Sequence, residues 1–62
     1  MNYTVVVAHI GQVYRGNSHR YAVASYNYYK NIVERSVILF NKDKPIREFD
    51  PKLLGETVYV IQ

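Results

Sequence analysis

The segment between Ser18 and Ser36 constrains this chain most, because only one regular conformation sorts its side chains. As a strand it would put Tyr21, Val23 and Ser25 on one side and Ala22, Ala24, Tyr26 and Tyr28 on the other. Neither side would be polar. At roughly 100° per residue the same segment separates cleanly. Tyr21, Ala22, Ser25, Tyr26, Tyr28, Tyr29, Ile32 and Val33 then share one arc of about half the circumference, as an amphipathic helix requires. His19, Arg20, Asn27, Lys30, Asn31, Glu34 and Arg35 fill the other arc, with Val23 and Ala24 as apolar intruders. Ser18 is placed to cap the first turn with its hydroxyl. The pattern predicts a helix over about 18–35, although tyrosine-rich stretches also suit strands.

Everything around that helix reads as extended. Tyr3 to about Ile10 is rich in β-branched residues and stops at Gly11. Gln12-Val13-Tyr14-Arg15 is a candidate second strand before Gly16-Asn17-Ser18 breaks the chain. Ser36–Phe40, the polar turn Asn41–Lys44 and Pro45–Phe49 form a hairpin, with Pro45 at a strand start where no ladder donor is needed. Asp50–Gly55 is expected to be a loop or one helical turn closed by Gly55, and Thr57–Ile61 the last strand. The order is β(β)αβββ, which makes an α+β fold: one antiparallel sheet with one helix on one face. No linker, repeat or low-complexity stretch divides residues 1–62, so a single domain is expected.

A domain of this size sits near the lower limit for folding on its own core. The usual aids are disulfides, a metal or a second subunit. Cysteine is absent, and His9 and His19 are the only histidines, at a spacing that fits no common zinc pattern. Nothing calls for a cofactor or a metal. Efficient packing or self-association remains. No apolar run approaches the roughly 20 residues that span a bilayer, and Met1-Asn2-Tyr3 leads into a strand without a signal-peptide start. The expectation is a protein with no membrane segment, residing in the cytoplasm.

The coverage of the sheet is the functional clue. One helix shields one face, so the other face of an antiparallel sheet should be polar, and each strand should alternate. These strands do not. Val5 and Val7 alternate with Val6 and Ala8, Val37 and Leu39 with Ile38 and Phe40, and Val58 and Val60 with Tyr59 and Ile61. One of each pair of sets is left facing away from the helix. A one-residue slip exchanges the sets, so sequence leaves the choice open. Val6, Ala8, Ile38, Phe40, Tyr59 and Ile61 are the candidate protein-binding set. Such a surface marks an interface unless residues 11–17 and 50–55 fold over it. Its expected partner is another protein, a second copy of the chain, or both.

Catalytic motifs are missing. Ser18 and His19 are neighbours without a third orienting residue, and Gly11, Gly16 and Gly55 are too scattered for a phosphate loop. The chain is expected not to be an enzyme. Charge offers a second binding reading. The net charge is +3, and all of the excess lies in residues 1–35, where Arg15, Arg20, Lys30 and Arg35 face Glu34 alone. Seven tyrosines accompany it. Tyr14, Arg15, Arg20, Tyr21, Tyr28, Lys30 and Arg35 are therefore candidate nucleic-acid-binding residues, by stacking and phosphate neutralisation. Against this, the RNP-type aromatic-glycine signature and the Gly-x-x-Gly clamp are absent. The plainer reading makes Tyr26 and Tyr29 core, with Tyr21 and Tyr28 half-buried shoulders.

From Tyr26 to Asp50 the chain offers a helix ending in Ile32-Val33, then Val37-Ile38-Leu39-Phe40, Asn41-Lys42-Asp43-Lys44 and Ile46-Arg47-Glu48-Phe49-Asp50. This stretch resembles the helix-plus-hairpin of small phage-encoded proteins that block host enzymes or toxins, and is most similar to the Dmd type of antitoxin, which inhibits a host ribonuclease toxin. The resemblance implies an inhibitor or regulator that works by occupying a partner's surface. It carries no binding residues over.

Overall fold

The computed structural model describes residues 2–52 and 55–58. They form five strands and one helix: β1 (Tyr3–Val7), β2 (Gly11–Gly16), α1 (His19–Ile32), β3 (Val37–Asn41), β4 (Lys44–Asp50) and β5 (Gly55–Val58). The sheet is antiparallel throughout, in the order β2-β1-β3-β4-β5. The fold is the small α+β arrangement expected, and Gln12–Arg15 does belong to a strand.

The order places the helix. β2 and β3 flank β1 on either side, and each is antiparallel to it. They therefore run in the same direction, and α1 must cross over β1 to join them. It packs on β1, β3 and β2. Val5, Val7, Ala22, Tyr26, Val37 and Leu39 are fully buried between the two layers. Burial of a side chain such as Leu39 contributes about 1.5–3 kcal/mol. His19 meets the Tyr3 ring edge-on at 5.3 Å, fixing the start of the helix to β1. The β4–β5 hairpin extends the sheet beyond the helix, and Lys30 reaches across to Glu56 of β5 at 3.5 Å.

Several boundaries differ from the sequence expectation, for local reasons. β1 stops at Val7, not Ile10, because His9 adopts a left-handed φ of 66° and the Ile10 N–H donates to the Val7 carbonyl at 3.1 Å. Gly11 follows with φ 104°, a value that suits glycine and opens β2. The helix runs over 19–32 instead of 18–35: Val33 is already extended, at φ −108° and ψ 141°, while its N–H still donates to Tyr29 at 2.9 Å. Gly55 begins β5 opposite Asp50 and does not close a loop. The expected last strand, 57–61, is described only to Val58, and Tyr59 and Ile61 lie outside the described residues. Ser18 is the N-cap as expected, its hydroxyl accepting the Tyr21 N–H at 3.2 Å.

The helix also sits rotated from the predicted arc, towards Val23, which packs against the core. Tyr26 is fully buried and Tyr29 partly so, as expected. Tyr21 and Tyr28 are not half-buried shoulders. They are 67% and 60% exposed, and Ile32 is 57% exposed beside them.

Candidate docking face

Residues directly opposite in an antiparallel ladder share one face of the sheet. The register therefore resolves what the sequence left open. Val5 stands opposite Leu39 and Tyr14, Val7 opposite Val37, and Val37 opposite Phe49. These are the residues that meet the helix. The other face carries two central rows. In one, Gln12 is opposite Val6, Val6 opposite Ile38, Ile38 opposite Glu48 and Glu48 opposite Thr57. In the other, Arg15 is opposite Thr4, Thr4 opposite Phe40 and Phe40 opposite Pro45.

The result is an apolar centre of Val6, Ile38, Phe40 and Pro45 with the Thr4 side chain among them. Each is half-buried. Gln12 and Arg15 bound it on β2, and Glu48 and Thr57 on the β4–β5 side. Among the described residues nothing lies across this face. Residues 8–10, 42–43 and 51–52 turn at strand ends, and 17–18 and 33–36 join the helix on the opposite side. Residues 11–16, considered above as a cover, lie in the plane of the sheet as β2, and Asp50 and Gly55 are paired in strands.

Of the candidate protein-binding residues, the fold brings Val6, Ile38 and Phe40 together on this face. Ala8 is elsewhere. It lies past the strand end, donates its N–H to the Ser36 carbonyl at 2.9 Å, and lines a cleft of about 240 Å³ with His9, Glu34, Arg35, Asp50 and Lys52. That cleft sets two acids, Glu34 and Asp50, beside Arg35, Lys52 and the His9 imidazole, and Asp50 already accepts the Lys52 backbone N–H at 2.9 Å. Tyr59 and Ile61 fall outside the described residues. Thr4 and Pro45 were missed by sequence reasoning. Only the strand register, through Thr4–Phe40 and Phe40–Pro45, discloses them.

The candidate nucleic-acid residues are dispersed. Tyr14 points to the helix side, where its hydroxyl donates to the Ser18 carbonyl at 3.4 Å. Arg15 belongs to the open sheet face. Arg20, Tyr21 and Tyr28 are exposed on the helix, with Tyr28 edge-on to Tyr29 at 5.2 Å. Lys30 lies over the Tyr26 ring at 5.3 Å as well as beside Glu56. Arg35 lines the cleft beyond the helix end. Tyr21 and Tyr28, seven residues apart, share a helix flank with Ile32. Lys30 faces β5 and Arg15 faces the far side of the sheet, so no single surface collects the set.

One buried polar group stands out. The Tyr26 hydroxyl is fully buried and closes no hydrogen bond. Burial first, and the nearby Glu56 carboxylate second, push its ionisation well above the ordinary tyrosine range. Glu56 thus disfavours the phenolate without meeting the geometry of a hydrogen bond to the phenol. Among the described residues no group of three or more His, Cys, Asp or Glu side chains gathers as a metal site, and no helix is long and apolar enough to cross a membrane.

Comparison with family models, curated proteins and solved structures finds no match to this chain.

Proposed function

We propose that this chain is a small docking protein, an inhibitor or regulator that binds another protein through the open face of its sheet. The single observation behind this reading is the half-buried centre of Val6, Ile38, Phe40 and Pro45, with no described element of the chain over it. Leaving such a centre wet forgoes about 25 cal/mol for every Å² of apolar surface that a partner would remove from water. An apolar middle with a polar rim of Gln12, Arg15, Glu48 and Thr57 is the anatomy of a protein interface. The resemblance of residues 26–50 to phage-encoded inhibitors points the same way, because a molecule of that kind acts by covering its target.

A photo-crosslinking side chain tests the reading when placed at Ile38 or Phe40 and, as a control, at Asn27 on the helix. Adducts should form from the sheet positions in a lysate of the source cells and vanish when Val6→Asp is added. Adducts from Asn27 alone, or none at all, would sink the proposal.

A nucleic-acid reading keeps one specific observation, the exposed pair Tyr21 and Tyr28 on one helix flank. It has less support, because of the candidate cations only Arg20 is beside them.

A further inference from the structure

Resting on that reading of the open face, we infer that one occupant of the face is a second copy of this chain, docked sheet to sheet about a twofold axis parallel to β1 and β3.

Area is the first argument. A stable interface needs roughly 800 Å² from each partner. The chain measures 29 × 25 × 18 Å. Its short dimension is the stack of sheet and helix, so its broadest surfaces are the two faces parallel to the sheet. The helix occupies one. Among the described residues only the open face joins an apolar centre to an outline of roughly 700 Å², close to that requirement.

Charge is the second, and it selects the orientation. The centre of the apolar patch lies between β1 and β3. A twofold axis along the strands at that point sets β1 over β3 of the second copy and β2 over its β4. Val6 then comes level with the second copy's Ile38 and Thr4 with its Phe40. Gln12 comes level with its Glu48. Arg15, opposite Thr4 and so two β1 positions further along, is about 7 Å from that level at 3.3–3.4 Å per residue, within the reach of an arginine between sheets roughly 10 Å apart. Twofold symmetry makes the pair of contacts twice. The pairing needs only the charge of Glu48 at this rim, whatever else that carboxylate touches in its own chain.

Turning the axis across the strands instead lays β2 on β2 and brings the two Arg15 side chains together. Like charges in apposition are a strong bar to association. Self-association of this kind also meets the need of a short chain without cysteines, whose described core holds six fully buried side chains.

The experiment is sedimentation or light scattering of the full chain from micromolar to near-millimolar concentration, with a charge-swap series. The wild type should be a dimer that dissociates on dilution. Arg15→Glu and Glu48→Arg should each weaken it roughly tenfold or more, and the double reversal should recover most of the loss. Ile38→Asp should give monomer with an unchanged circular dichroism spectrum. Should Glu48→Arg unfold the chain, Arg15→Glu alone, on an exposed side chain, still has to weaken the dimer. A monomer at every concentration overturns the inference, as does a dimer indifferent to Ile38→Asp or a double reversal no better than the singles. A monomeric chain that still crosslinks to a foreign protein from Ile38 overturns self-association and leaves the docking reading standing.

Discussion

Val6 stands directly opposite Ile38 across the β1–β3 ladder, on the face of the sheet that the helix does not touch. One position along each strand, Val5 and Leu39 form the equivalent pair against the helix, and both are fully buried. Two apolar pairs of nearly the same composition thus occupy opposite environments.

That contrast predicts opposite mutational costs. Leu39→Ala removes packed methyls from the centre of the core and should cost about 2–5 kcal/mol. Ile38→Asp removes a side chain whose outer surface meets no described part of its own chain, and should cost about 1 kcal/mol, mostly through lost strand preference. Urea unfolding of both variants and wild type, at a concentration where the chain is monomeric, measures the difference. Equal, large losses would mean that the open face is ordinary core.

Tyr26 predicts a pH dependence. Its ionisation lies above the ordinary value of 10.0 because the buried phenolate is disfavoured by desolvation and then by Glu56. The folded state therefore holds the phenolic proton more tightly than the unfolded chain does. The resulting stabilisation is complete below the unfolded value and is lost as pH rises above it. Urea midpoints should be flat with respect to this group up to about pH 9 and fall beyond 10, more steeply for wild type than for Tyr26→Phe. Since the hydroxyl closes no hydrogen bond, Tyr26→Phe should also be neutral or stabilising near neutral pH, by up to about 1 kcal/mol. A destabilised phenylalanine variant, or equal slopes above pH 10, would refute this account.

The sequence carried the helix and the β3–β4 hairpin because each has a period or a turn that no alternative sorts as well. It could not carry the facing of β1 and β3. Val5-Val6-Val7 and Val37-Ile38-Leu39-Phe40 are apolar at every position, so the two-residue period holds no information there. The facing is fixed instead by the register, including the irregularities between Val5 and Val6 and between Leu39 and Phe40. The helix rotation escaped for a related reason. Tyrosine counts as apolar in a wheel, yet its hydroxyl tolerates water, so Tyr21 and Tyr28 could be shed to the surface while Val23 turned inward. Arg15 read as a partner of the helix tyrosines by proximity in sequence, whereas strand pairing with Thr4 carries it to the far face.

Backbone strain gives a third prediction. His9 and Lys42 adopt φ of 66° and 57°, left-handed values that cost a side-chain-bearing residue about 1–3 kcal/mol. His9→Gly and Lys42→Gly should each raise stability by about 1 kcal/mol, part of the relief being offset by the entropy of an added glycine. Gly11→Ala should do the reverse, since Gly11 has φ 104°. Thermal melts of the three variants give the signs. A His9→Gly variant less stable than wild type would show that the imidazole makes a contact worth more than the strain.

The dispersal of the basic residues predicts weak, shallow nucleic-acid binding. A protein that neutralises several phosphates loses affinity steeply with salt, with a slope of about −0.7 per contact on a single strand. Here Lys30 is engaged with Glu56, Arg15 is on the open sheet face and Arg35 is beyond the helix end, so a strand stacked on Tyr21 and Tyr28 would have Arg20 as its adjacent cation. Titration with a single-stranded oligonucleotide at two salt concentrations should return a slope no steeper than about −1, nearly unchanged by Arg15→Ala or Arg35→Ala. A slope of about −3 that those substitutions flatten would mean that the basic residues act as one surface, and would favour nucleic acid over protein as the partner.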